Sequence, residues 1–334
     1  EEILAFQRIA FPERRQDWIA PRWHWMFVES AKRLGVKPRL WLYRDSGAVV
    51  AQMGAIPVKL KIGCEEHMTA WLVVTMVLES YRSLAVGSRI MMQAQEEVPF
   101  SLSLGQTEYV REMLVRLGWQ QVAPLQTFVL PLRPRRILRN RLNLVLAEFA
   151  GIGLHVGQYM KRFSSRRKFE RLDAHPLDGF DERHDQLWDS IKDEYECAAI
   201  RDASYLNWKY VTQPGQDFIR LEMVNAGKVV AVAILSISEP GSNLVYRYRR
   251  AFIVDLVVSS SNPKVVHGVL EAVRQNCLAL GADSIIFNLT HEKLEAAVKT
   301  YGFLQREPTR FFWVCPEQLS PEMCWAVLAP KNWL

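Results

Sequence analysis

Apolar residues are spaced along most of the chain in a way that predicts alternating strands and helices. The clearest stretch is the run of residues 70–78, which is rich in Val and predicts a buried strand. Residues 79–87 follow as a turn, and Ile90, Ala94 and Val98 then recur at helical spacing. A strand, a short turn and a helix in this order aim the unpaired N–H groups of the helix start into the turn. This arrangement is typical of a phosphate-binding site.

The same patterns divide the first 133 residues into a complete series of elements. Gly118 follows an amphipathic segment directly and is a natural end for that helix. Pro57 is expected to interrupt a strand, because it lacks a backbone N–H donor. The pattern predicts helices within residues 1–36, strands at 39–44, 48–56, 58–62 and 101–104, a helix at 108–117 and a final strand at 127–132.

The second half of the chain repeats this order. Strands are predicted at 218–225, 228–237, 250–258, 284–289 and 310–314, with helices at 263–280 and 291–300. Trp25 precedes Val77 by 52 residues, and Trp208 precedes Val257 by 49 residues. Agreement in both order and spacing predicts two α/β domains of one fold in tandem. We expect an N-terminal domain at residues 1–133, a linker segment at 134–175 and a C-terminal domain at 176–334.

Positive charge is concentrated in the linker. Residues 131–171 hold eleven Lys and Arg and two Glu, so this segment carries +9 within a chain of net charge +6. Residues 142–160 are apolar but include Glu148, His155 and three glycines, which argues against a membrane-spanning helix. Three interpretations stay open for the segment: a helix packed across both domains, a helix lying on an anionic membrane surface, or an RNA contact.

The cysteines and histidines favour neither disulfides nor metals. The five cysteines include no C-x-x-C pair, and an odd number argues against a secreted disulfide framework. A reducing cytoplasm is therefore the expected compartment, with a peripheral membrane contact through the basic segment as an addition. The seven histidines show no metal-ligand spacing, so we expect no metal.

The turn after residues 70–78 carries a resemblance to a known family. Tyr81 precedes the sequence Arg82-Ser83-Leu84-Ala85-Val86-Gly87, which resembles the Arg/Gln-x-x-Gly-x-Gly/Ala acyl-CoA loop of the GNAT acyltransferases. Ala85 stands where the family has its first glycine; if that position needs a positive φ, the Cβ costs about 1–2 kcal/mol. The resemblance implies that an acyl-CoA lies along the strand end and the loop, against Met76, Val77, Arg82, Ser83, Leu84, Ala85, Val86, Gly87 and Ser88.

The corresponding turn of the second half differs from this loop. It has the sequence Ser259-Ser260-Ser261-Asn262-Pro263-Lys264, which contains no glycine, and Pro263 has no N–H to donate. We refer to residues 82–88 as the first loop and to residues 259–264 as the second loop. The difference predicts one acyl-CoA per chain, bound at the first loop.

The usual proton-transfer residues of the GNAT family are missing from the first half. The family often has a Tyr acid four residues before a Gly-Phe/Trp pair, where this chain has Leu114 and Val298. It often has a carboxylate on the central strand, where this chain has Val74 in the first half and Asp255 in the second. The candidates left for acid–base chemistry are Gln106, Tyr109 and Asp255.

The resemblance implies an N-acyltransferase that takes an acyl group, acetyl in the first instance, from coenzyme A to an amine. The acceptor is a small molecule or a peptide. Tandem GNAT proteins include mycothiol-synthase-like and Fem-like enzymes, and no motif here selects either. Two alternatives stay open: a catalytically degenerate binding protein on the GNAT fold, and a Fem-like transferase that uses aminoacyl-tRNA.

Overall fold

The computed structural model describes residues 1–138, 169–241 and 247–334. These residues form two seven-stranded mixed sheets and eleven α-helices. The predicted helix within 142–160 and most of the basic segment lie outside the described residues. We call residues 1–138 the first half and the described residues from 169 onward the second half.

The first half contains the predicted helices and strands in order, but β3 begins five residues earlier than predicted, and β5 and α6 were not predicted. The elements are α1 Glu2–Ala10, α2 Gln16–Trp23, a π-helical turn His24–Glu29, α3 Ser30–Arg33, β1 Arg39–Asp45, β2 Ala48–Ile62, β3 Glu65–Val77, a 3-10 turn Glu79–Leu84, α4 Val86–Glu97, β4 Phe100–Leu104, α5 Glu108–Arg116, β5 Gln120–Pro124, β6 Gln126–Pro131 and α6 Pro134–Leu138.

The second half contains the predicted elements and several short ones that the pattern did not indicate. They are β7 Asp173–Pro176, α7 Glu182–Ile191, a 3-10 turn Lys192–Glu194, β8 Cys197–Ala199, α8 Ala203–Tyr210, β9 Ile219–Asn225, β10 Lys228–Ser238, β11 Arg250–Val258, α9 Pro263–Ala279, β12 Ser284–Leu289, α10 Glu292–Tyr301, β13 Leu304–Arg306, β14 Phe311–Pro316, α11 Pro321–Leu328 and a 3-10 turn Pro330–Asn332.

Pro57 does not interrupt a strand, and the expected division at this residue was wrong. Strand β2 continues through it, and Pro57 lies opposite Ala70 of β3. On the other side of β2, β1 pairs only as far as Ala55, and β8 pairs only from Leu60. Pro57 lies in the gap between them, so its missing N–H removes no hydrogen bond from the sheet.

Each sheet takes strands from both halves of the chain. The first sheet has the order β1-β2-β3-β4-β14-β5, with β8 beside β2, and the second has the order β13-β6-β12-β11-β10-β9-β7. Strand β14 therefore lies between β4 and β5, and β6 lies between β12 and β13. The expected last strands at 127–132 and 310–314 exist, but each pairs in the sheet of the other half. The division at 133 and 175 stays a prediction.

A pair of stacked tryptophans joins the two halves of the chain. The rings of Trp25 and Trp208 stack with centroids 4.9 Å apart and an interplanar angle of 12°. The Trp25 indole N–H donates to the Trp208 carbonyl at 2.7 Å, and the Trp208 indole N–H donates to the Trp25 carbonyl at 3.1 Å. Such a reciprocal contact is what a two-fold relation between equivalent surfaces produces. The two tryptophans that the spacing argument matched are thus in direct contact, and the tandem repeat itself stays a prediction.

Candidate functional site

The first sheet opens between two neighbouring strands. Strands β3 and β4 are parallel, but they pair only at Ala70 with Ser101 and at Trp71 with Leu102. Residues 73–77 continue β3 with β2 on one side, and all five are only partly buried although β3 lies in the middle of the sheet. The backbone of these residues therefore faces an open groove that another extended group can enter.

A bulge in β3 accompanies the opening. Gly54 of β2 lies opposite Val73, whereas Gln52 lies opposite Met76, so the register shifts between them. Val74 falls within the bulge and has φ +54°, a value that a β-branched residue seldom adopts. A bulge bends its strand and increases the local twist. The bend carries the end of β3 away from β4 and keeps the groove open.

The first loop closes one end of the groove. A 3-10 turn covers Glu79–Leu84, and Ala85 then takes the left-handed conformation with φ +57° and ψ +20° before α4 begins at Val86. The family position that is usually glycine thus has a positive φ here. The structure confirms the condition under which the sequence predicted a Cβ penalty at Ala85.

The start of α4 offers unpaired donors to the groove. No side chain caps this helix, and its first N–H groups, on Val86, Gly87 and Ser88, have no acceptor among the described residues. A Cβ built on Gly87 would lie 3.5 Å from Val77 Cγ2, so the space above this residue is narrow but open. Arg82 donates from Nε to the Val77 carbonyl at 3.2 Å and is otherwise exposed. These donors and this charge suit a phosphate group.

Gln106 and Tyr109 follow β4 and lie at the same edge of the sheet as the first loop, because β3 and β4 are parallel. Gln106 Nε2 donates to the Ser103 hydroxyl at 2.5 Å, and Gln106 Oε1 is buried without a hydrogen-bond partner among the described residues. The Tyr109 side chain is 69 % exposed. No contact in the described structure joins Gln106, Tyr109 and Asp255, and their catalytic roles stay predictions.

The second sheet opens in the same way. Strands β11 and β12 pair from Arg250 with Ser284 to Ile253 with Phe287, and β11 then continues without β12. Its register with β10 shifts at Val254, next to Asp255, so the bulge is repeated as well. The two openings are therefore equivalent in backbone architecture.

Side chains of the protein itself occupy the second opening. Asp255 accepts from Arg201 Nε at 2.9 Å and from the Tyr210 hydroxyl at 2.6 Å, and all three side chains are buried. Burial, the largest single effect, raises the pKa of Asp255, but the charges of Arg201 and Lys209 and the hydrogen bonds from Tyr210 and Arg201 together bring the pKa below its ordinary value. Arg201 also donates to the Leu334 carbonyl, and Thr290, after β12, donates to the Trp333 carbonyl. Residues 333–334 thereby bridge the two diverging strands.

A carboxylate already occupies the second loop. Glu194 accepts from the Ser259 hydroxyl at 2.7 Å, from the Ser260 hydroxyl at 3.2 Å and from the Ser261 N–H at 2.8 Å. Burial raises the pKa of Glu194, but these three residues stabilise its charged form and bring the pKa below the ordinary value. Asn262 caps the first N–H groups of α9. The donors that the first loop leaves free are used internally in the second loop.

Three solved structures share this architecture over most of the chain. An N-myristoyltransferase of Saccharomyces cerevisiae with bound myristoyl-CoA has a TM-score of 0.54 and 11 % identity, covering 80 % of this chain and 67 % of its own. A probable N-acyltransferase of Enterococcus faecalis has a TM-score of 0.59 and 11 % identity, covering 93 % and 69 %. A GCN5-related N-acetyltransferase of Anabaena variabilis has a TM-score of 0.60 and 10 % identity, covering 93 % and 68 %. The chain has the GNAT acyltransferase fold.

Sequence comparisons add no closer relative: no protein-family model matches the chain, and no curated protein matches it. Within the described ranges, no group of three or more His, Cys, Asp or Glu side chains could hold a metal ion. None of the helices in those ranges is long and apolar enough to cross a membrane.

Sequence reasoning found the first loop but missed the features that distinguish the two openings. Glu194 lies 65 residues before Ser259, and Arg201 lies 54 residues before Asp255. Contacts over such separations leave no local pattern in the chain. The sequence around Val74 gave little indication of a bulge, because a run of Val predicts a regular strand.

Proposed function

We propose that the chain is an acyl-CoA-dependent N-acyltransferase with a single donor site, formed by the groove of the first half and the first loop. The observation that carries this proposal is the contrast between two equivalent openings. In one, β4 does not pair with residues 73–77 of β3, and the first N–H groups of α4 have no acceptor among the described residues. The other is filled by Arg201, Asp255, Tyr210 and Glu194.

The donor would extend along β3. Its pantetheine amides would pair with the backbone near Met76 and Val77, and its pyrophosphate would accept from the N–H groups of residues 84–88 beside Arg82. Acetyl-CoA is the first donor to test. Myristoyl-CoA is the second, because a structural neighbour binds it.

The reaction would be a direct transfer. The acceptor amine attacks the thioester carbonyl, a C–N bond forms, the C–S bond breaks, and one amine proton is lost while the thiolate gains one. Gln106 follows β4 at the same edge of the sheet as the first loop, and we assign to it the orientation of the amine. An amide is not basic enough to remove the proton, so we assign that transfer to water, with exposed Tyr109 as the acid for the thiolate.

The acceptor would be a small-molecule or peptide amine that approaches from the side of the N-terminal helices. The basic segment 133–171 would add a contact with an anionic membrane surface or RNA, at a cytoplasmic location. A Fem-like transferase would bind tRNA in a salt-dependent manner, whereas a degenerate binding protein would bind CoA without transferring its acyl group.

Calorimetric titration with CoA tests the donor site. Gly87→Asp should abolish binding, because it places a carboxylate against the pyrophosphate, whereas Gly87→Ala should fold normally, since its Cβ is in ordinary contact with Val77. The matched control is Lys264→Asp, which introduces the same carboxylate at the equivalent position of α9, and it should leave binding unchanged.

One CoA per chain, lost in Gly87→Asp and retained in Lys264→Asp, would support the proposal. Binding that survives Gly87→Asp, or that Lys264→Asp removes, would place the donor elsewhere. Absence of binding by the unmodified protein would leave the aminoacyl-tRNA alternative to be tested with tRNA.

A further inference from the structure

The bulge at Val74 needs a partner that holds it, and the structure assigns this role to Gln52. We propose that Gln52 is a positioning residue for the acyl-CoA groove, and that its contact with Gln7 ties the shape of the groove to the docking of helix α1. This inference rests on the proposed function, because it concerns the same groove.

Gln52 lies on β2 at the point where the register with β3 shifts. Val74 has no partner in that register, so its carbonyl lacks a place in the ladder. Gln52 Nε2 donates to this carbonyl at 3.4 Å, and the Gln52 residue is only 1 % exposed. A side-chain amide thereby replaces the missing ladder partner at a residue held in an unfavourable φ.

Gln52 is itself held by the N-terminal helix. Gln7 of α1 donates from Nε2 to Gln52 Oε1 at 3.5 Å and is also only 1 % exposed. Burial of two amide side chains is unfavourable unless they are paired. A chain of two hydrogen bonds therefore connects α1 to the strand that forms the groove.

The N-terminal helices also contact the bulge region at a second position. The Phe27 ring, in the π-helical turn, packs on Gly54, where a Cβ would come within 2.3 Å of Phe27 Cε1. Gly54 is the first residue after the register shift. Contacts from Gln7 and Phe27 thus converge on the two residues of β2 that flank the shift.

A direct consequence is coupling between donor and acceptor. The backbone that would pair with pantetheine, residues 73–77, is shaped by contacts from α1 and the π-helical turn. A ligand that moves these helices would change the affinity for acyl-CoA, and acyl-CoA would change the affinity for that ligand by the same factor.

The test compares Gln52→Leu with Gln95→Leu. Leu has nearly the volume of Gln and removes both hydrogen bonds of Gln52. Gln95 is a matched control, because it is buried in the same half and bonded to Trp119, away from the bulge. Two quantities are measured on the full chain: the Kd for CoA by calorimetry, and backbone amide exchange of residues 72–78 by mass spectrometry without ligand.

Gln52→Leu should weaken CoA binding about tenfold and speed exchange in residues 72–78 by about the same factor. Gln7→Leu should also weaken CoA binding and speed this exchange, with smaller effects. It replaces Gln52→Leu in the test if Gln52→Leu folds poorly. Gln95→Leu should change neither quantity. Adding Val74→Gly to Gln52→Leu should restore most of the affinity, because glycine adopts a positive φ without support.

Equal effects of Gln52→Leu and Gln95→Leu on both measurements, or failure of Val74→Gly to rescue, would overturn the inference. If the unmodified protein binds no CoA, the proposed function fails. The exchange measurement then decides the role of Gln52 by itself.

Discussion

At the scale of single residues, the first loop contains an unfavourable backbone conformation that the sequence already indicated. Ala85 has φ +57°, and a helix starts at the next residue. A left-handed conformation costs a residue with a Cβ about 1–2 kcal/mol compared with glycine. The first loop thus retains its shape despite the substitution, because α4 and the 3-10 turn fix the chain on both sides.

Ala85→Gly should therefore stabilise the protein, by about 1 kcal/mol. The measurement is the urea midpoint at constant slope. Ala94→Gly, in the interior of α4, is the control and should destabilise by a similar amount. A loss of stability in Ala85→Gly would show that the loop does not bear this strain in solution.

His291 is a second residue whose environment gives a measurable effect. It is buried beside the Tyr195 ring, with centroids 4.9 Å apart, and its Nδ1 has no hydrogen-bond partner among the described residues. Burial, with a smaller contribution from Lys293, lowers the pKa of His291 from 6.5 to about 4. The folded protein therefore favours neutral His291.

The sign of the pH dependence follows from this shift. The unfolded chain binds more protons at His291 than the folded chain between pH 6.5 and about 4, so stability falls as the pH is lowered through this window. His291→Asn, which places a favourable N-cap side chain where His291 makes no capping hydrogen bond, should flatten the melting temperature across this window. An unchanged profile in His291→Asn would mean that other groups cause the acid sensitivity.

At the scale of elements, the two loops show how one backbone turn becomes a ligand site or a closed one. Both follow a central strand and precede a helix. The sequence predicted their difference from glycine content and from Pro263, and this chemistry is local. It could not predict Glu194, because a distant carboxylate that satisfies a loop is a matter of tertiary packing. The Asn262 cap, by contrast, is local chemistry, because its side chain accepts from the N–H groups of Lys264 and Val265 directly after it.

Removal of Glu194 should take away the acceptor that three donors of the second loop share. Glu194→Ala is expected to destabilise the protein by about 1 kcal/mol, because only Ser260 among the three donors is buried, whereas the exposed Ser261 N–H can bond to water. Inorganic phosphate should restore part of the lost stability, because it can accept from Ser259, Ser260 and Ser261. Asp193→Ala is the control, because the Asp193 side chain is exposed and its contact with Lys61 Nζ is long, at 3.8 Å. Loss of stability in the control alone would contradict the role given to Glu194.

At the scale of the whole molecule, the exchange of strands is the feature that sequence reasoning could not supply. Strands β6 and β14 were both predicted as strands from their own apolar residues. The choice of neighbour depends on which edge each strand reaches, and two mixed sheets of seven strands offer similar edges. The period and length of an apolar pattern therefore predict that a strand exists, whereas the strands with which it pairs depend on the connection between the halves.

Reciprocal exchange should make unfolding a single event. The first sheet cannot close between β4 and β5 without β14, and the second cannot close between β12 and β13 without β6. Loss of either strand therefore removes hydrogen bonds and apolar contacts from both halves. Two domains linked only by a segment of chain would instead unfold independently.

Two buried positions test this expectation. Val314 on β14 and Leu130 on β6 are both fully buried. Truncation to Ala should cost about 2–4 kcal/mol at each site. Val314 belongs to the second half of the chain but lies in the first sheet, whereas Leu130 belongs to the first half but lies in the second sheet.

Calorimetry should show one unfolding transition in the unmodified protein, and this transition should move to lower temperature in either variant. Amide exchange should rise in both sheets in each variant, because opening one sheet releases a strand of the other. Two separate transitions, with only one displaced by each substitution, would show that the halves unfold independently despite the exchanged strands.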